Sequence, residues 1–248
     1  MHPNPETQPP DTPPKTLVII PAYNEAGNIA DVIAQVRASV PAADVCVIDD
    51  GSADGTGAAA RQAGAITLRL PYNLGIGAAV QTGFLYAHRQ GYDLAVRIDG
   101  DGQHPPDLIP ALIDNLRKSG ADMVIGSRFL AGGDGYRSTL SRRLGIRLLA
   151  ATIRLITGQV ATDPTSGFLV ANRRAIAFCA YEYPHDYPEP EARVLMHKGR
   201  LHVREVPVTM RERASGTSSI TTLRAAYYMT KVLLAVLLDA LRMPRQRL

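Results

Sequence analysis

The chain reads as an α/β protein with a mostly parallel central sheet and helices on both faces. Three observations carry this. Short unbroken apolar runs recur, as strands buried on both faces require. Stretches of helical periodicity separate them. In the first half of the chain every such run ends in polar or glycine-rich sequence.

Leu17-Val18-Ile19-Ile20 is the first strand, broken by Pro21-Ala22-Tyr23-Asn24-Glu25. The helix that follows places Ile29, Val32, Ile33 and Val36 on one stripe. Val45-Cys46-Val47-Ile48 is the second strand and runs into Asp49-Asp50-Gly51-Ser52; an Ala-rich helix spans 56–63 and a third strand 66–70. Asn73-Leu74-Gly75-Ile76-Gly77 turns into a helix to about Gln90, and Leu94 to Ile98 is the fourth strand. Pro105-Pro106 opens another helix, since proline suits a first turn. Met123-Val124-Ile125 is a fifth strand leading to Gly126-Ser127-Arg128. After a Gly-rich loop at 131–135, residues 140–157 form an amphipathic helix with Leu144, Leu148, Ile153 and Leu155 on its apolar face. A short strand at 169–171, a helix from Pro188 to Lys198, a strand at 201–210 and an apolar helix from about Ile220 to Arg242 complete the chain.

Hydrophobic residues make up 46% and charged residues 20%, enough for a sizeable core. A net charge of +4 favours anionic partners: nucleotides, lipid phosphates or a membrane surface. Nucleic acid is not expected, since there is no Lys/Arg block with interleaved aromatics and no Trp. Cys46 and Cys179, far apart in apolar runs, read as reduced buried thiols of a cytoplasmic protein. Residues 1–14 hold six prolines and read as a disordered tail, leaving 15–219 as the domain and 220–248 as a terminal helix. That helix has no uncharged run near the roughly 20 residues that span a bilayer. Its leucines, with Arg242, Arg245 and Arg247, suit the cytoplasmic face of a membrane, packing on the domain or a second subunit, and the 140–157 helix with Arg142, Arg143, Arg147 and Arg154 shares the first property.

The chemistry concentrates in Arg97-Ile98-Asp99-Gly100-Asp101-Gly102-Gln103-His104. Two carboxylates wrapped in glycines make a poor core and a good seat for Mg²⁺ or Mn²⁺, which take oxygen ligands and complete their shell with substrate phosphates. One acidic loop end could be a cap or turn. Here Tyr23/Glu25, Asp49/Asp50, Asn73/Gly75, Asp99/Asp101 and Ser127/Arg128 all fall beyond strand ends, where ligands of open α/β sheets bind. His104 reads as a positioning or stacking residue rather than a ligand, since hard cations prefer oxygen. Gly75-Ile76-Gly77 lacks the third glycine of a dinucleotide fingerprint.

In order, Val18 to Glu25, Ile48 to Ser52 and Asp99 to Pro106 resemble the family 2 glycosyltransferases, and within them the dolichol-phosphate mannose synthase and polyprenyl-phosphate glycosyltransferase group. The resemblance covers about residues 16–222. It implies a GT-A fold and an inverting, metal-dependent transfer from a nucleotide-diphosphate sugar to a polyprenyl phosphate. Pro21, Tyr23 and Glu25 would then surround the nucleoside, Asp49 the base or ribose, and Asp50 the ribose and metal. Asp99, Asp101 and Gln103 match the metal motif, with Asp101 the principal ligand. Ser127 and Arg128 resemble the acceptor-phosphate site, Ser166-Gly167-Phe168 a substrate loop, and Arg211 to Ser219 a closing loop whose Arg213 meets the diphosphate. The chain departs from the pattern at Ile76 and Ser219, where related sequences carry basic residues.

A phosphate acceptor is already anionic and needs no strong base, whereas a hydroxyl acceptor does. Glu189 or Glu191, in Pro188-Glu189-Pro190-Glu191, would be that base, or else an acidic first turn favoured by the helix dipole. Transfer to a hydroxyl of a polysaccharide or glycolipid, and non-catalytic binding of a nucleotide sugar, stay open. Binding alone would not require both Asp99 and Asp101.

Overall fold

The computed structural model describes residues 13–130, 140–211 and 222–241. The proline-rich tail up to residue 12, the 131–135 loop, Arg213, Ser219, Arg242, Arg245 and Arg247 lie outside them, as do the side chains of Arg142, Arg143 and Leu144.

The apolar runs form β1 (Thr16–Ala22), β2 (Asp44–Asp49), β3 (Ile66–Arg69), β4 (Leu94–Arg97), β5 (Met123–Ser127), β6 (Leu169–Asn172) and β7 (Val203–Pro207). They make one sheet in the order β3-β2-β1-β4-β6-β5-β7. Pairings are parallel except at β6, which runs antiparallel to both β4 and β5. The C-terminal ends of β1 to β5 therefore share one edge, and the segment entering β6 arrives at that same edge.

Strand residues alternate between two cores. Val18, Ile20, Val45, Val47, Val96 and Val124 pack with α1 (Ile29–Ser39), α2 (Thr56–Gln62) and α4 (Ile109–Ser119). Leu17, Ile19, Cys46, Ile48, Met123 and Ile125 pack with α3 (Ile76–Arg89), α6 (Arg173–Glu182) and α7 (Pro188–Lys198). A third cluster joins Leu149 and Ile153 of α5 (Leu140–Thr157) to Val194 of α7 and to Val232 and Val236 of α8 (Thr222–Leu241). No helix among the described residues is long and apolar enough to cross a membrane. Both cysteines are buried and unbridged, and burial pushes the Cys46 thiol up to about 12.

Three local expectations change. Pro21 does not end β1 but pairs with Ile48 inside it. It is tolerated because β4 pairs with β1 only as far as Ile19 opposite Arg97, so no ladder bond is lost on that side. The segment 173–182, left unassigned by periodicity, is α6, capped by Asn172, whose side chain accepts from the Ala175 amide. The buried stripe of α5 is Ile146, Leu149 and Ile153, whereas Leu148 is 50% and Leu155 88% exposed. Leu148 and Leu155 lie about half a turn from Ile153, so the sequence reading merged two opposite faces.

Ile153→Ala should therefore lower unfolding free energy by about 2–5 kcal/mol. Leu155→Ala should stay within about 0.5 kcal/mol. Urea denaturation of the two variants reads the difference.

Candidate active site

Asp49, at the end of β2, is buried, and its Oδ1 accepts the Ser52 amide at 2.9 Å. Its Oδ2 has no hydrogen-bond partner; the nearest cation is Arg69 Nε at 3.8 Å. A buried carboxylate oxygen left this way is an acceptor awaiting a donor. Asp50 is used differently: its oxygens take the Leu74 and Gly75 amides at 2.8 and 3.0 Å, fixing the turn before α3. Gly51 sits beneath that turn at φ +71°, where a Cβ would lie 2.6 Å from the Tyr72 carbonyl carbon. The loop after β1 is stitched to the loop after β2. Asn24 N donates to Ser52 Oγ, Glu25 N to Thr56 Oγ1, and Ala53 N to Asn24 Oδ1, at 2.8–3.0 Å. Pro21 is buried in β1, Tyr23 is exposed and Glu25 half-buried at this seam.

The loop after β4 carries Asp99, 35% exposed, and the partly buried Asp101, whose Oδ1 accepts the Gln103 amide at 3.0 Å. His104 is buried and stacks on Phe168, ring centroids 5.2 Å apart. Its Nδ1 accepts the Asp99 amide at 2.9 Å, and Nε2 lies 3.7 Å from Asp99 Oδ2. Burial, which disfavours the imidazolium, lowers the His104 pKa despite Asp99. Burial would raise Asp99, but His104 and the guanidinium of Arg97 hold it below the usual carboxylate range. Arg97 ends β4 fully buried, its Nη2 3.3 Å from Asp99 Oδ1 and 2.8 Å from Glu189 Oε1. Among the described residues no three His, Cys, Asp or Glu side chains converge on one metal position. Asp99 and Asp101 stand one residue apart on this loop, Asp99 against Arg97 and His104 and Asp101 against the Gln103 amide.

Beyond β5, Ser127 is buried and its Oγ lies 2.6 Å from Thr162 Oγ1. Arg128 makes a two-pronged pair with Asp163, Nε–Oδ2 2.7 Å and Nη2–Oδ1 2.8 Å, and also donates to Thr165 Oγ1. Burial opposes ionisation of Asp163, yet the bonds and charge of Arg128 keep its pKa low. Ser166 Oγ donates to the Gly126 carbonyl at 2.5 Å. Ser127, Arg128 and Ser166 thus bind the segment entering β6 to the end of β5. Thr162 and Asp163 also donate their amides to Glu205 of β7, which pairs with Arg193 of α7.

The structure brings Glu189 to this edge through Arg97 and turns Glu191 away. Two residues apart on a helix place them about 200° apart. Glu191 Oε1 accepts the Tyr187 amide at 2.9 Å, and the side chain faces Asp239 of α8. Burial, with Asp239 opposite, pushes Glu191 up to about 8. Arg211 meets the loop after β4: its amide donates to the Gln103 carbonyl at 3.0 Å, and its guanidinium pairs with Asp107 at 3.1 Å. Arg97 is the residue to which sequence reading gave no role; an arginine inside an apolar run buried on both faces is the signal that could have found it.

Residues 17–178 match the family described as glycosyl transferase family 2. The chain belongs to that family and is a glycosyltransferase with the GT-A fold. It is 33% identical over 228 residues to the polyprenol monophosphomannose synthase of Mycolicibacterium smegmatis, covering 88% of this chain and 85% of that one. It is 34% identical over 220 residues to the undecaprenyl-phosphate mannosyltransferase of Micrococcus luteus, covering 84% and 88%. The fold is similar to that of glucosyl-3-phosphoglycerate synthase from Mycobacterium tuberculosis, crystallised with Mn²⁺, UDP and glucosyl-3-phosphoglycerate. The TM-score is 0.69 at 24% identity, over 94% of this chain and 82% of that one.

Arg128→Met should lower stability by about 3–5 kcal/mol, because it strands the buried Asp163 charge; denaturant unfolding measures it. Glu191 gives a pH signature. An unfolded glutamate loses its proton near pH 4.3 and the folded one near 8. Its contribution is fully present below the lower value and is lost as pH rises through the upper one. Glu191→Gln should accordingly flatten the fall in melting temperature between about pH 4 and pH 8 (the window set by those two values) and raise it at the alkaline end.

Proposed function

We propose that this glycosyltransferase moves a hexose, with inversion and with a divalent cation, from a nucleoside-diphosphate sugar to a polyprenyl phosphate. The observation that carries the donor half is the presence, on one sheet edge, of a buried Asp49 oxygen without a hydrogen-bond partner and of the Asp99 and Asp101 carboxylates. One suits a base N–H and the other the diphosphate's cation. Pro21, Tyr23 and Glu25 border the nucleoside, and Asp50 holds the turn beside it. Asp99, Asp101 and Gln103 would hold Mg²⁺ or Mn²⁺. When bound, such an ion neutralises charge developing on the departing diphosphate. The family resemblance would give Arg213, outside the described residues, a further positive charge for the diphosphate.

The sugar C1–O bond to the diphosphate breaks, and a phosphate oxygen of the acceptor bonds C1 from the opposite face. No proton changes hands, so no base is required. This agrees with Glu189 being engaged by Arg97 and Glu191 being turned to α8. Ser127, Arg128 and Ser166 shape the loops that border the acceptor. Two relatives are named for polyprenol and undecaprenyl-phosphate mannosyl transfer, which supports a lipid-phosphate acceptor. The outward Leu148 and Leu155 of α5 and Leu234, Leu237, Leu238 and Leu241 of α8 give the chain an apolar surface for peripheral membrane contact, with Arg147 and Arg154 exposed on α5.

Thermal unfolding with UDP-, GDP- and dTDP-sugars, each with and without Mn²⁺, tests the donor site. A donor at 100 times its Kd should add about 2.7 kcal/mol. The shift should require the metal and vanish in Asp101→Ala. A full shift in that variant would overturn the metal assignment.

A further inference from the structure

Arg97 is the last residue of β4, and strand alternation directs it into the core shared with α3, α6 and α7. Its Nη1 donates to Tyr183 Oη at 3.0 Å, while Nη2 reaches Asp99 Oδ1 at 3.3 Å and Glu189 Oε1 at 2.8 Å. Nε has no hydrogen-bond partner. Gly167 closes over the guanidinium, where a Cβ would fall 2.7 Å from Nη2. A buried ion pair of this kind is often replaceable by apolar side chains without loss of stability. Core packing is therefore a weak reason for a cation two residues before Asp101's partner carboxylate. Geometry gives a better one: a single planar fork touches a carboxylate of the metal loop and a carboxylate of α7.

We propose that Arg97 is a positioning residue that orients Asp99 and, through Glu189, ties the donor side of the site to α7 on the acceptor side. This rests on the metal-dependent reading above. Arginine stays charged in proteins, so Asp99, Arg97 and Glu189 together carry one net negative charge. Neutralising Glu189 leaves the trio neutral and weakens a cation at Asp99 and Asp101. Removing the Arg97 charge leaves two carboxylates facing each other, which tightens the cation but releases Asp99 from its orientation. A purely structural role would move both variants in the same direction.

The test is calorimetric titration of Mn²⁺ into the protein saturated with UDP or GDP, which requires no turnover, alongside melting temperature and steady-state kinetics. Glu189→Gln should weaken Mn²⁺ about tenfold, the scale of a unit-charge change at the rim of a partly buried site. Arg97→Met should bind Mn²⁺ more tightly than wild type, by roughly threefold or more, with kcat reduced. The double variant should return to within about threefold of wild-type Mn²⁺ affinity without recovering kcat, since the charge balance is restored but the fork is not. Arg97→Lys, which keeps the charge, should hold Mn²⁺ affinity and lose kcat, and it carries the test with Glu189→Gln if Arg97→Met does not fold. Equal-sign shifts in Mn²⁺ affinity for Arg97→Met and Glu189→Gln, or no change in Glu189→Gln, would overturn the proposal. Absence of Mn²⁺ binding by wild type with either nucleotide would overturn the metal reading itself.

Discussion

The active edge of this sheet holds Asp49, Asp50, Arg97, Ser127, Arg128 and Asp163 at 8% exposure or less. A desolvated charge is tolerated only with partners of good geometry, so the loops at this edge take the shapes that supply them. Asp50 draws in the amides of residues 74 and 75, Asp163 takes the fork of Arg128, and Arg97 draws Glu189 and Asp99 together. Loop conformation here follows from charge satisfaction more than from turn propensity. The exceptions at this edge are Asp49 Oδ2 and Arg97 Nε, for which the protein provides no hydrogen-bond partner.

This arrangement divides the polar residues at the edge into two kinds. Arg128, Ser127 and Ser166 are engaged with protein groups and set the walls. Asp99, Asp101 and Tyr23 retain surface toward the opening. A motif match treats both kinds alike, because each falls beyond a strand end. The distinction becomes visible only when the bidentate Arg128–Asp163 pair shows where that guanidinium's directional donors point.

The parallel half of the sheet was legible because its strands are continuous apolar runs and their polar ends recur at every βα junction. The placement of Asp49, Asp50, Asp99 and Asp101 at strand ends was legible from the same pattern. Helical phase was harder. Leu148 and Leu155 look like core residues in a leucine-rich stretch, yet α5 buries the stripe through Ile146, Leu149 and Ile153. Hydrophobicity alone does not choose between two apolar stripes on one helix; the position of α7 and α8 does. Glu189 and Glu191 pose the same problem, since their assignment depends on which side of α7 meets Arg97 and which meets α8. Partners of buried ions, such as Asp163 for Arg128, come from distant parts of the chain and leave no local trace.

The reversal of β6 has a consequence for how this scaffold diversifies. In an all-parallel sheet, only segments leaving strands can line the functional edge. Because β6 runs the other way, residues 158–168 reach that edge on their way into a strand. The two sides of the cleft thus answer to different mutational constraints. Exit loops after β1 and β2 are short and fixed by carboxylates at the strand ends, whereas the inbound segment is anchored at Thr162, Asp163 and Ser166 and joined upstream to a separate helical layer. Changes in length or composition before residue 162 therefore leave the register of β4, β6 and β5 untouched, so this side of the edge can be altered without rebuilding the other.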